Sequence, residues 1–125
     1  MRLRPLLLTL ALIAIAALVA AALAGARVRA KTTVTITGPN GDFEGKIFSP
    51  RGRCLGNRTV VVHKLRGNGY DPANDPVVGS DTSQRIGRHG EWSLGNTGIR
   101  NGRFYAIAKK TPFCRVGFSP VIRPS

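Results

Sequence analysis

Carboxylates are scarce in this 125-residue chain, with 6 Asp+Glu against 19 Lys+Arg and a formal net charge of +13. Two histidines, two cysteines, one tryptophan and one methionine complete a thin stock of reactive or bulky side chains. No serine stands in a G-x-S-x-G elbow, no glycine-rich loop precedes a helical pattern, and no C-x-x-C pair or EF-hand spacing is present. Beyond residue 30 no stretch carries a helical period, which excludes a helical bundle. The length excludes a multidomain enzyme, and a single long hydrophobic run excludes a polytopic membrane protein.

That run is the first positive feature. Leu6 to Ala26 carries no charge and only one hydroxyl, Thr9, and it follows the cationic start Met1-Arg-Leu-Arg-Pro5. Small residues follow at Ala22-Leu23-Ala24 and Val28-Arg29-Ala30. The order is that of a secretory signal peptide over residues 1–30, with cleavage after Ala30 or Ala24. Because about 20 apolar residues can also span a bilayer, an uncleaved membrane anchor is the competing reading. Either way Arg2 and Arg4 hold the N-terminus inside, so residues 31–125 are predicted to be secreted or otherwise extracytoplasmic, touching a membrane only through that segment. Without residues 1–30 the chain keeps 15 basic and 6 acidic side chains, a balance of +9.

An even cysteine pair in a short exported chain predicts a structural disulfide between Cys54 and Cys114. Closing a loop of that length restricts the unfolded chain by about 4 kcal/mol in the entropy model.

Short alternating runs separated by Gly, Pro and Asn predict strands throughout the exported part. Thr32 to Thr37 and Asp42 to Ser49 read as a hairpin around Gly38-Pro39-Asn40-Gly41, whose Asn-Gly pair suits positive φ. Arg58 to Leu65 is dense enough in branched residues to be central, with His63 on the sheet surface beside Val61. Gly67 to Pro76 is a loop, Val77 to Thr82 resumes an extended pattern, and Arg85 to Gly90 is a basic turn. Trp92 and Leu94 share an inward face. Arg103 to Lys109 sets Phe104, Ala106 and Ala108 against Tyr105 and Ile107. Pro120 puts the last segment, Val116 to Ile122, at an edge. The sum is one all-β domain over 31–125, an antiparallel β-sandwich of about seven short strands, preceded by a hydrophobic signal helix.

Several of these segments in order resemble the transthyretin-like (prealbumin-like) group, which includes the carboxypeptidase regulatory-like domain. The resemblance runs through Phe43-x-Gly45-x-Ile47, Cys54, Val60 to Val62 and Val78-Gly79-x-Asp81-Thr82, then Gly90-x-Trp92-Ser93-Leu94, Phe104-Tyr105-Ala106 and Cys114. It implies an accessory or binding module with no active site. The family's acidic turn is replaced here by Gln84-Arg85-Ile86-Gly87-Arg88-His89, so no acid-dependent role carries over.

The residues themselves point the same way. His89 and Glu91, two apart on a strand, face one side and could serve a small secreted hydrolase or nuclease as base and acid. Their exposure in a solvated turn is the commoner outcome. Asp71, Asp75 and Asp81 offer oxygen ligands for calcium, but neighbouring Pro and Asn explain them as turn formers. Neither a metal nor a cofactor is expected, and the Asn57-Arg58-Thr59 triplet is not expected to carry a glycan. The basic residues, Arg58 among them, read as a broadly positive surface. Tyr70 and Asp71 in the long loop, with Arg85, Arg88 and His89 in the basic turn, are the candidate contacts. The partner would be an anionic cell-wall polymer, a glycan or a surface protein. Aromatics between the cations are too few to predict specific nucleic-acid binding.

Overall fold

A computed structural model describes residues 28–124; the predicted signal segment lies almost entirely outside them. Eight strands, β1 (Thr33–Val34), β2 (Asp42–Phe48), β3 (Thr59–Leu65), β4 (Val77–Thr82), β5 (Gln84–Ile86), β6 (His89–Asn96), β7 (Arg103–Ala108) and β8 (Gly117–Phe118), form two antiparallel four-stranded sheets. Their orders are β1-β2-β6-β5 and β4-β3-β7-β8. Among the described residues no helix is long and apolar enough to cross a membrane.

The β1–β2 hairpin closes where the Asn-Gly pair predicts. Asn40 and Gly41 take φ of 56° and 81°, a region open to glycine and tolerated by asparagine. β3 is central, with β4 on one side and β7 on the other. The short β8 pairs with β7 at the sheet edge, just before Pro120. The segment read as one basic turn is divided: Gln84–Ile86 pairs with His89–Glu91, leaving Gly87-Arg88 as a two-residue loop. That edge strand raises the count from seven to eight.

The core lies between the sheets. Val34, Ile36, Phe43, Ile47 and Trp92 on one meet Val60, Val62, Phe104, Ala106 and Ala108 on the other, and the rings of Phe43 and Phe104 lie 4.9 Å apart. Each such large side chain withdrawn from water contributes about 1.5–3 kcal/mol. The sheets are laced at both margins. On one, Ala30 pairs with Cys114 and the chain then moves to β2 as β1. On the other, β4 becomes β5 at Ser83, a fully buried residue whose hydroxyl donates to the Leu55 carbonyl and accepts from the Arg58 amide. Strands that switch sheets in this way turn the corner of a sandwich. Cys54 and Cys114 are bonded, closing a loop over a sequence separation of 60.

Two residues depart from their sequence reading. His63 is buried, not on the sheet surface, because the Arg66–Pro76 loop folds across the outer face of the second sheet. Arg58 is only 1% exposed and so is no part of the positive surface.

Candidate functional site

The five candidate contacts do not converge. Tyr70 and Asp71 belong to the loop covering the second sheet, whereas Arg85, Arg88 and His89 belong to the β5–β6 hairpin of the first. Tyr70 is half exposed; its ring packs edge-on to Tyr105 and against Phe118, and its hydroxyl donates to the Ser119 carbonyl. Asp71 holds the loop, its carbonyl accepting from the Asp75 amide and its carboxylate from the Asn74 side chain.

Beneath that loop Asp75, read from sequence as a turn former, is almost fully buried. Its carboxylate accepts the Tyr105 hydroxyl at 2.6 Å and the backbone amides of Arg66 and Asp71 at 3.1 and 3.0 Å. The His63 ring stacks on Tyr105 and directs Nδ1 to the Asp75 carbonyl, which requires the hydrogen on Nδ1. The Tyr105 hydrogen bond, with the two amides, outweighs burial and holds the Asp75 carboxyl below its usual range. Burial, and then the adjoining carboxylate, push Tyr105 upward. This cluster fastens the loop to the outer face of the second sheet.

His89 and Glu91 do meet. Nε2 and Oε1 are 2.9 Å apart on the outer face of the first sheet, the one contact between a basic and an acidic side chain at this range among the described residues. Glu91 is half exposed, and the neighbouring groove of about 570 Å³, lined by Thr35, Glu44, Lys46 and Ser93, is open to solvent. Among the described residues no third side chain hydrogen-bonds to the pair, and the nearby Ser93 hydroxyl accepts the Gly95 amide and makes no bond to His89 or Glu91. The three aspartates considered for calcium do not converge: Asp71 and Asp75 are neighbours in the covering loop, where both Asp75 oxygens are engaged, whereas Asp81 lies on β4 and accepts the Ser93 amide across the sheets. Among the described residues no group of three His, Cys, Asp or Glu side chains is placed to hold a metal.

What the fold does gather is charge. Segments 28–32, 49–58, 83–90 and 109–116 meet at the end of the molecule that carries the disulfide, and together they hold ten basic residues and no acid. Nine of these, Arg29, Lys31, Arg51, Arg53, Arg85, Arg88, Lys109, Lys110 and Arg115, are exposed. The tenth, Arg58, lies within. Three shallow clefts indent this pole, and Arg53 lies 4.4 Å over the Phe113 ring. The opposite end, made of loops 38–41, 66–76 and 95–102 with the C-terminal segment 119–124 beside Phe104, carries Arg66, Arg100 and Arg123 against Asp71 and Asp75, a balance of only +1. Sequence reasoning missed the segregation, although a signal existed. Alternate loops of an antiparallel sandwich share an end, so charges summed over every second loop reveal the pole.

Arg58 secures that end from inside. Its Nε and Nη2 donate to the Lys109 carbonyl at 3.3 and 2.9 Å, Nη2 also to Arg115, and Nη1 to the Thr32 hydroxyl and the Cys54 carbonyl. All five donors are satisfied with no carboxylate present, and desolvation lowers the pKa of the guanidinium. Comparison with protein-family models, curated proteins and solved structures returns no match.

Proposed function

We propose that the chain is an exported, noncatalytic β-sandwich module of prealbumin-like type that binds an anionic cell-wall polymer at or outside the cell surface. The observation that carries this reading is the segregation of exposed cations, eight within residues 31–125 and a ninth, Arg29, if cleavage follows Ala24, without one acid, to the disulfide pole. Such a surface attracts polyanions over a Debye length and presents guanidinium forks to their oxygens. The Leu6–Ala26 run supports export, and the order of motifs from Phe43 to Cys114 supports the family assignment. Glycans and surface proteins remain the competing partners.

The test is retention of the oxidised protein on purified wall polymer, DNA and a neutral glycan across a salt series. Retention on wall polymer above physiological ionic strength, with DNA already released, is the expected result. Joint release of every anionic polymer as salt rises would reduce the pole to a nonspecific field and overturn the reading.

The His89–Glu91 contact favours a second reading, a small secreted hydrolase or nuclease. His89→Ala with Glu91→Ala decides it: hydrolysis abolished with the fold intact supports an enzyme, and unchanged behaviour removes it.

A further inference from the structure

At the basic pole, a cleft of about 600 Å³ lies between the disulfide loop and the β5–β6 hairpin. Arg53, Arg85, Asn57 and Thr111 line it, with Cys114 and the buried Arg58 behind them, and no carboxylate contributes to its wall. Two guanidiniums face this space from different elements. Arg53 is held over Phe113, so its position is set by the ring beneath it. Arg85 donates Nε to the Gly87 carbonyl, which orients the side chain and leaves Nη1 and Nη2 with no protein acceptor among the described residues. The Thr111 oxygen accepts from the amides of Phe113 and Cys114, so its hydrogen remains available.

The backbone is shaped to admit Arg85. A Cβ on Gly52 would lie 2.4 Å from Arg85 Nη1, and one on Gly56 would lie 3.2 Å from the Arg85 backbone nitrogen. Arg58 adds positive potential from below while its own five donors are engaged. A tetrahedral oxyanion matches such a wall, because paired guanidinium forks and hydroxyl donors can each take a separate oxygen.

We propose that the cleft between Arg53 and Arg85 binds phosphate-class oxyanions, and that through it the basic pole recognises the phosphodiesters of a polyol-phosphate polymer. This rests on the reading of the pole as a polyanion-binding surface and adds to it a defined site and a ligand chemistry.

The experiment measures affinity of the full oxidised chain for poly(glycerol phosphate), with polyglutamate as a carboxylate polymer and inorganic phosphate as the isolated group. Arg85→Gln and Arg53→Gln should each weaken poly(glycerol phosphate) binding about tenfold, the loss of a charge-assisted bond. Arg100→Gln, the same charge change at the opposite end, should weaken it less than twofold. Gly52→Ala leaves the charge unaltered and displaces only the flexible end of Arg85, so a loss of about threefold or more marks the site itself. Inorganic phosphate should shift the Arg85 Nε–H resonance in the parent and not in Gly52→Ala.

Wild-type affinity in Gly52→Ala, with equal losses in Arg85→Gln and Arg100→Gln, would overturn the site and leave the basic pole standing. Equal binding of polyglutamate and poly(glycerol phosphate), equally weakened by Arg85→Gln, would overturn the phosphate assignment. Failure of the parent to bind any polyanion at physiological salt would overturn the pole as well.

Discussion

Two buried charges sit in this sandwich with no ion-pair partner, Arg58 behind the disulfide pole and Asp75 under the loop that covers the second sheet. Both are solvated by the protein itself. Arg58 spreads five donors over the carbonyls of Cys54, Lys109 and Arg115 and the Thr32 hydroxyl, while Asp75 collects a tyrosine hydroxyl and two backbone amides. They differ in permanence. A guanidinium keeps its charge at any pH a protein survives, so the first centre is fixed once formed. The second depends on Asp75 staying ionised and Tyr105 staying neutral, so either limb of the pH scale can open it.

Removing Arg58 should produce the largest effect. Arg58→Ala strands several buried acceptors, and thermal unfolding should show a loss of about 3–4 kcal/mol. Arg58→Lys should recover only part, because three donors on a point charge cannot reproduce a planar fork. Asp75→Ala comes next. It leaves Tyr105 and two amides without acceptors, and a fall in Tm on the order of 10 °C is expected, with faster amide exchange confined to residues 66–76.

Titration then separates the two centres. Because the folded-state pKa of Asp75 is depressed, its contribution is complete above the ordinary carboxylate range and is lost as pH falls below it. Because the folded-state pKa of Tyr105 is raised, its contribution is complete below pH ~10, the unfolded value, and is lost as pH climbs past it. Tyr105→Phe should therefore abolish most of the alkaline loss, as followed by stability against pH, while leaving the Arg58 region unchanged. An alkaline limb that persists in Tyr105→Phe would show that the loop is not held through this hydroxyl. The smallest effect is expected on the bare face of the first sheet, where His89→Ala with Glu91→Ala should change Tm by less than about 5 °C, since an exposed pair contributes under 1 kcal/mol.

Neither buried charge was legible in the sequence, and the reason is common to both. Their partners are remote: Arg58 reaches residues 26, 51 and 57 positions away, and Asp75 reaches one 30 positions away. Local pattern sees an arginine at the start of a strand and an aspartate beside a proline, and assigns the first to the surface and the second to a turn. What local chemistry governs was legible, including the Asn40-Gly41 turn, the inward pair Trp92 and Leu94 and the central β3, and the cysteine bond, though remote, was legible because two cysteines allow one pairing. The hairpin candidates Arg85, Arg88 and His89 lie at or beside the basic pole, whereas Tyr70 and Asp71 are committed to the covering loop. β5 was hidden because three exposed residues, Gln84, Arg85 and Ile86, carry no alternation of burial to betray a strand.

The Thr32 hydroxyl and Arg58 both donate to the Arg115 carbonyl, which makes the two ends of the domain depend on each other. A chain emerging from its N-terminus would have the first hairpin early, yet the margin beside β1 could not close, nor Arg58 find its acceptors, until residue 115 was available. Contacts of such long sequence separation make folding slow and cooperative. Shortened chains ending before Lys109 should therefore accumulate as loose, protease-sensitive intermediates.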